Sequence, residues 1–401
     1  MRDVVVVGGG PVGGQVARLL ASEGVDVLLV EEHARVGEPV QCAGLFSPRI
    51  FDLVDFARDE VWMNDIRGAN VRSPKGRVVS LEGGKTMAVA VDRGGFDRRC
   101  VERAATAGAE VRTGVRAVEA SRDATGVTVR LRNGGGSETV RARAVVGADG
   151  VQSQVARWFD LPHAKEIVPC YGAQVEGLAL DATRVEMFVG QEQAPGFFSW
   201  MIPTDARGHT GKVEVGVSWK APHSAKHYYE RMYRDPQSAR FIVDPLVCYE
   251  ICGCIPLGPI RKTSGERVAL VGDAAAQAKP TSGGGVYTGL KCAAHLADVL
   301  AAGLEEDDLS AARMAEYHER WTDELGFELA VGMRLRRAFM HLTDEQVERL
   351  FDVLDDREIL ETVNVMGDID YPSRLAKALL RKAPQLFQFS GPVMKSLFSV
   401  A

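Results

Sequence analysis

Gly8, Gly10 and Gly13 stand in the spacing G-x-G-x-x-G, directly after the β-branched run of residues 4–7 and before a helical stretch through Val16, Ala17, Leu19 and Leu20. This is the chemistry of a dinucleotide phosphate. The first glycine allows the tight turn, the second lets the backbone approach the pyrophosphate, and the third permits close helix–strand packing. The helix N-terminus adds free N–H donors and the positive end of a dipole. Glu31 follows at the end of the next strand run, eighteen residues past Gly13, where it can accept hydrogen bonds from a ribose. An acid there favours a ribose without a 2′-phosphate. A second site of the same character ends the run Val-Ala-Leu-Val-Gly-Asp at Asp273, followed by Pro280, Gly283-Gly284-Gly285 and a helical run from Val286. A third lies at Ala148-Asp149-Gly150.

These positions are far apart, so the elements that hold them must be threaded through other material. Residues 4–7, 25–30 and 268–271 read as parallel strands buried on both faces, because their apolar runs do not alternate. Residues 110–115, 127–131 and 144–147 read as further strands, and residues 91–107 as a turn into a helix with Val101, Ala104 and Ala105 on one face. Residues 165–260 are mostly alternating, as in an antiparallel sheet. The expectation is an α/β fold. A discontinuous Rossmann-like domain of residues 1–160 and 261–330 encloses an antiparallel-sheet substrate domain of residues 161–260, which part of 60–92 joins. Residues 331–401 form a helical C-terminal region.

Bulk properties narrow the function. A net charge of −6 argues against a general nucleic-acid binder, which needs a basic surface. No run of about twenty apolar residues exists to span a bilayer, and no signal-peptide pattern precedes the first strand, so a cytoplasmic protein is expected. Seven scattered cysteines do not form a disulfide framework; Cys252-Gly253-Cys254 is too tight for a zinc knuckle, and the cysteines are expected in buried strands without a metal.

The three dinucleotide signals together resemble the fingerprints of the glutathione-reductase-type, hydroxylase-like FAD flavoproteins. That resemblance implies FAD, with Asp273 on the ribityl chain and Gly284, Gly285 and Val286 aiming a helix N-terminus at the flavin. It also implies Arg93, Val115 and Asp149 as further cofactor neighbours. Narrower still, Phe198-Ser199-Trp200-Met201-Ile202-Pro203 resembles the aromatic-x-Trp-x-hydrophobic-Pro motif of geranylgeranyl reductases. Gln41-Cys42-Ala43-Gly44-Leu45, Gly253-Cys254-Ile255-Pro256 and Asp368-Ile369-Asp370-Tyr371-Pro372 are similar to segments of the archaeal digeranylgeranylglycerophospholipid reductases. Phe198 stands where that family often has Tyr, and Ile202 where it often has Phe, so no hydroxyl is present at 198.

The resemblance implies reduction of isolated C=C bonds in geranylgeranyl lipids. Phe198, Trp200 and Pro203 are then candidates for a lipid-lining strand, and Cys42 and Ala43 for the loop beside the flavin. Cys42 and Tyr287 are the candidate proton donors. The electron donor is external, since no second G-x-G-x-x-G is present: ferredoxin, reduced deazaflavin or NAD(P)H. Residues 371–401 carry five Lys or Arg and no acid, among apolar residues, and suggest peripheral contact with the inner face of the membrane. Two other readings stand beside it: an FAD-dependent aromatic hydroxylase or epoxidase, which shares the three fingerprints, and a non-catalytic prenyl-lipid carrier on the same fold. Intact Gly8, Gly10, Gly13, Glu31 and Asp273 speak against the carrier, which has no need of a full FAD site.

Overall fold

The structure is a computed structural model in which residues 1–383 are described. Strand β1 (Arg2–Val7) is the centre of an eight-stranded sheet, parallel to β2 (Val27–Glu31) on one side and to the strand Gly136–Gly147 on the other. Helix α1 (Pro11–Ser22) connects β1 to β2, and Pro at its first position suits a helix start, where no N–H partner is lost. Helix α2 (Arg93–Thr106) packs on α1 so closely that a Cβ on Gly14 would lie 2.9 Å from the backbone of Cys100. The strand Val268–Leu270 extends the parallel order on the far side of Gly136–Gly147. Val4 and Val6 face one apolar layer, and Val5 and Val7 the other, which is why the run does not alternate.

The second sheet has seven strands. Its path runs from β6 (Ile242–Leu257) through β3 (Glu166–Leu178), β5 (Thr210–Gly216) and β4 (Ser199–Pro203), then Arg184–Phe188, Gly68–Arg72 and Val78–Glu82. It is not purely antiparallel: Arg184–Phe188 and Gly68–Arg72 pair in parallel. One face packs Met201, Val213 and Val215 under Tyr228, Tyr229 and Met232 of the helix Ala225–Met232. The other packs Val168, Trp200, Ile202 and Leu257 against Ala278 and against Ala43 and Leu45 of the loop after β2. Helix α3 (Val286–Glu305) carries the Gly-rich loop at its start.

Two local expectations change. Ala105 is solvent-exposed, so the buried face of α2 runs through Phe96, Cys100, Val101 and Ala104 instead. Cys248, Cys252 and Cys254 are exposed, because β6 is an edge strand with one neighbour only.

Candidate functional site

The glycine spacing is enforced by backbone approach. Gly8 has φ +108°, and a Cβ there would sit 2.3 Å from the Ala148 carbonyl oxygen. A Cβ on Gly13 would lie 2.1 Å from the Gly8 carbonyl oxygen. Gly10 is different: beyond its own chain neighbours, nothing lies within 4 Å of where its Cβ would be. It is also the N-cap of α1 and supplies no side chain, so the first N–H groups of that helix face open space. An uncapped helix start beside a bare glycine fits a pyrophosphate.

Glu31 stands beside this turn. Its Oε2 accepts from the Gly9 N–H at 2.7 Å, and its Oε1 accepts from the His33 N–H at 2.9 Å. A carboxylate has about four lone-pair positions, so acceptor capacity is left for a ribose. Val115 lies next to it, buried, donating its N–H to the Glu31 carbonyl. Asp149 is spent on the protein. Its oxygens accept from Ser153 Oγ at 2.6 Å and from the Gln154 and Val155 N–H groups, which fastens the start of the helix Gln154–Trp158.

At the other end of the groove, Gly272 at φ +67° brings Asp273 round beside the Gly-rich loop. A buried relay fixes that turn: the Gly272 N–H donates to Gln277 Oε1, Gln277 Nε2 to Tyr317 Oη, and Tyr317 Oη to the Leu270 carbonyl. The Asp273 side chain is open to solvent although protein surrounds it, as a group at the bottom of a cleft must be. Those surroundings push its carboxyl up to about 6, opposed by Arg93. Gly285 lies against it; a Cβ there would be 2.8 Å from Asp273 Oδ1. Gly285 caps α3 without a side chain, leaving the N–H groups at Val286 and beyond free to meet a ligand oxygen. Arg93, at the first turn of α2, is held by a two-point pair with Asp97 at 2.8 and 3.0 Å. Its ring-facing side lies over Phe46.

The Gln41–Leu45 loop joins the two sheets. The Ala43 carbonyl accepts from Lys212 Nζ of β5 at 2.5 Å, and Cys42 Sγ accepts from the Gly44 N–H at 3.5 Å. Below it, Phe197 and Phe198 stack at 4.1 Å and Trp200 meets both edge-on, at 6.3 and 5.3 Å. Phe197 lies 3.2 Å from where a Cβ of Gly283 would be, so this aromatic group touches the Gly-rich loop. Pro203 is buried but shares the face of Met201, opposite Trp200, by strand alternation. Tyr287 points its hydroxyl at Tyr371 Oη, 3.0 Å away.

Sequence reasoning passed over four charged residues here. Lys279, in the Gly-rich segment, forms a buried ion pair with Asp370 at 2.6 Å, which also binds Arg49 at 2.9 Å. Lys212 and Glu214 lie buried on the sheet beneath Cys42. The first pair was marked only by the Asp-x-Asp-Tyr-Pro segment; the second had the signal of charges alternating with valines. Among the described residues no three His, Cys, Asp or Glu side chains cluster in a way that could hold a metal.

The comparisons agree with this geometry. A family model described as "FAD binding domain" matches residues 1–323. Digeranylgeranylglycerophospholipid reductase 2 of Methanopyrus kandleri is 32% identical over 98% of this chain and 99% of its own. The digeranylgeranylglycerophospholipid reductase of Methanosarcina mazei is 31% identical over 88% of each. Among solved structures, a geranylgeranyl bacteriochlorophyll reductase-like protein from Thermoplasma acidophilum superposes with a TM-score of 0.87 over 100% of this chain and 99% of its own, at 23% identity. With bare helix starts at Gly10 and Gly285, an acid beside each, and relatives along nearly its whole length, the chain belongs to the FAD-binding domain family and, within it, to the digeranylgeranylglycerophospholipid reductase family.

Proposed function

We propose that this chain is an FAD-dependent reductase that saturates isolated C=C bonds in the geranylgeranyl chains of archaeal-type ether lipids. The observation that carries the reading is the aromatic cluster of the second sheet: Phe197, packed with Phe198 and Trp200, closes on Gly283 of the loop that would hold the flavin. A polyprenyl chain offers no polar handle, so an apolar wall against the cofactor is what positions it.

In this reading Gly8, Gly10, Gly13 and Glu31 hold the adenosine diphosphate half of FAD. Asp273, Gly284, Gly285 and Val286 hold the flavin end, with Arg93, Val115, Asp149, Cys42 and Ala43 around them. Bound FAD, once reduced, supplies the hydride. The chain's own residues do the rest. Phe198 and Trp200 place the alkene and exclude water, which raises the yield of any proton or hydride delivered there. Lys212 fixes the Cys42–Ala43 loop through the Ala43 carbonyl. Cys42 Sγ and Tyr287 Oη are the two proton-bearing side chains that the sequence nominated; Cys42 lies on the loop itself, whereas Tyr287 shares its hydroxyl with Tyr371.

An external reductant of the ferredoxin, reduced deazaflavin or NAD(P)H class would load the cofactor. Membrane contact through residues 371–401 belongs to the same reading. The helix Ser373–Lys382 carries Arg374, Lys377, Arg381 and Lys382, of which Lys382 pairs with Glu358 at 2.9 Å; residues 384–401, with Lys395, lie outside the described residues. No helix among the described residues is long and apolar enough to cross a membrane.

The test is to reduce the purified protein with dithionite without oxygen, add a digeranylgeranyl ether lipid, and weigh the product. Gain of two mass units per bond and reoxidation of the flavin are expected. An unchanged lipid overturns the reading; oxygen insertion on admitting air would instead favour the hydroxylase.

A further inference from the structure

The floor of the second sheet under the Cys42 loop contains an acid that no structural need accounts for. In β5, Lys212, Glu214 and Gly216 project to the same side as their cross-strand partners. Glu214 lies between Trp200 of β4 and Gly172 of β3, with Ile251 of β6 next in the row. This face presses on the Gln41–Gly44 loop. Lys212 Nζ binds the Ala43 carbonyl, and a Cβ on Gly253 would lie 2.3 Å from the Gln41 carbonyl oxygen.

Glu214 is 2% exposed, and its Oε1 has no hydrogen-bond partner among the described residues. Lys212 does not neutralise it by contact; its ammonium is spent on the Ala43 and Val91 carbonyls, at 2.5 and 3.4 Å. The neighbouring strand is cut back to admit the acid. A Cβ on Gly172 would stand 2.2 Å from Glu214 Cγ. Buried polar groups are hydrogen-bonded as a rule, and a leucine or glutamine would fill this place at lower cost. A costly, unpartnered acid beside an aromatic wall is the mark of a functional group.

We propose that Glu214 is the proton donor of the reduction, placed against the alkene by Trp200. The proposal rests on the function proposed above. The π bond of the alkene breaks, hydride from the reduced cofactor forms one C–H bond, and the Glu214 Oε–H bond breaks to form the other. Glu214 is left as carboxylate and the cofactor as its oxidised form. Solvent returns the proton between turnovers, past Tyr249 on the exposed edge strand β6, which belongs to the same face. The external donor restores the hydride.

The charge state suits the role. Burial raises the Glu214 carboxyl to about 7, and Lys212 opposes the rise. The other titratable groups that face it are Cys170 on β3 and Tyr249 on β6, with Cys42, Arg93 and Asp92 across the loop beyond Lys212. Burial pushes the Cys170 thiol up, and partial burial with the nearby acids Asp92 and Glu214 pushes the Tyr249 hydroxyl up, so neither carries charge at neutral pH. An acid titrating near the working pH is the efficient one.

The variant is Glu214→Gln, read in the FAD-loaded protein by three measurements. Single-turnover reoxidation of the reduced protein by digeranylgeranyl lipid should slow by roughly 10²–10⁴-fold, the usual weight of general acid catalysis. Wild-type rates should fall as pH rises through about 7, and the variant should lose that dependence. Flavin content and lipid affinity should not change. Independently of turnover, the infrared spectrum of the wild type should contain a protonated-carboxyl band that titrates near neutrality and is missing from the variant. Should Glu214→Gln fail to fold, Glu214→Asp serves: it keeps the pH dependence at a reduced rate. A variant rate within threefold of wild type with the same pH profile overturns the proposal, as does an infrared spectrum without that band. If the wild type itself fails to reduce the lipid, the functional reading falls and takes this one with it.

Discussion

The Lys279–Asp370 pair should be worth more to the fold than any surface ion pair in the chain. Asp370 is fully buried at its side chain and Lys279 nearly so, with Nζ 2.6 Å from Oδ1. Asp370→Ala strands two cations unequally. Arg49 keeps both hydrogen bonds to Asp368 and is 45% exposed, so water compensates it. Lys279 Nζ has no other acceptor among the described residues and remains a buried charge. Removal of one partner from such a pair costs about 3–5 kcal/mol. Unfolding entropy of about 2.1 cal/mol/K per residue, applied to 401 residues, makes that a fall in Tm of about 4–6 °C. Lys279→Met should cost less, because Asp370 keeps Arg49. The double change Lys279→Met with Asp370→Leu should recover most of the loss, since apolar replacements of a buried pair are often neutral or stabilising. The loop offers a second readout. Lys279 donates its backbone N–H to the Gly284 carbonyl and accepts from the Gly283 N–H, so a stranded Lys279 disturbs the Gly-rich loop proposed to hold the flavin. Calorimetry of FAD-free and FAD-saturated protein should show the smaller Tm gain from FAD in Asp370→Ala. If that variant melts within 1 °C of wild type, the pair is not what holds the C-terminal segment to the loop; a double variant as unstable as the single one would show that the loss is not the cost of a stranded Lys279 charge.

Gly13→Ala should purify with little flavin, because a Cβ 2.1 Å from the Gly8 carbonyl oxygen displaces the turn; a normal yellow spectrum would refute this. Trp200→Ala should lose about 3–5 kcal/mol of stability, as for other buried aromatics, and lipid turnover per folded, flavin-loaded molecule should fall as well. Unchanged turnover would make Trp200 simple core. Glu214 makes stability depend on pH. Its folded pKa is raised, so its contribution is fully present below about 4.5 and lost as pH rises through about 7. Relative to Glu214→Gln, the wild type should lose about 3 kcal/mol between pH 4.5 and 8. Equal stability gaps at both pH values in urea titrations would show that the carboxyl is not buried as described.

What could be read beforehand was local. Gly8, Gly10, Gly13 and Glu31 lie within one βαβ unit, where the backbone demands are set by neighbours a few residues away. Asp273 and the Gly283–Gly285 loop were legible for the same reason. The Lys279–Asp370 pair was not, because its members are 91 residues apart and nothing in either segment specifies the other. The cysteines of β6 were expected to be buried because strand cysteines usually are. Edge position, which exposes Cys248, Cys252 and Cys254, is a property of sheet order and has no local signature.

Lys212 and Glu214 mark the same boundary more sharply. The stretch Thr-Gly-Lys-Val-Glu-Val-Gly alternates polar and apolar, which normally describes a strand with one wet face. In the fold neither face is wet. Val213 and Val215 meet the helix Ala225–Met232, while the charged face meets the Cys42 loop and Trp200. Alternation therefore gave the pairing face correctly and the solvent wrongly. Burial on both faces turns a routine pattern into two charges that require a reason. Lys212 has one in the Ala43 carbonyl, and Glu214, with Oε1 unpartnered, finds its reason only if something else comes to occupy that face. A prenyl chain alone would not repay an unpaired carboxyl; a prenyl chain whose double bond must take up a proton would.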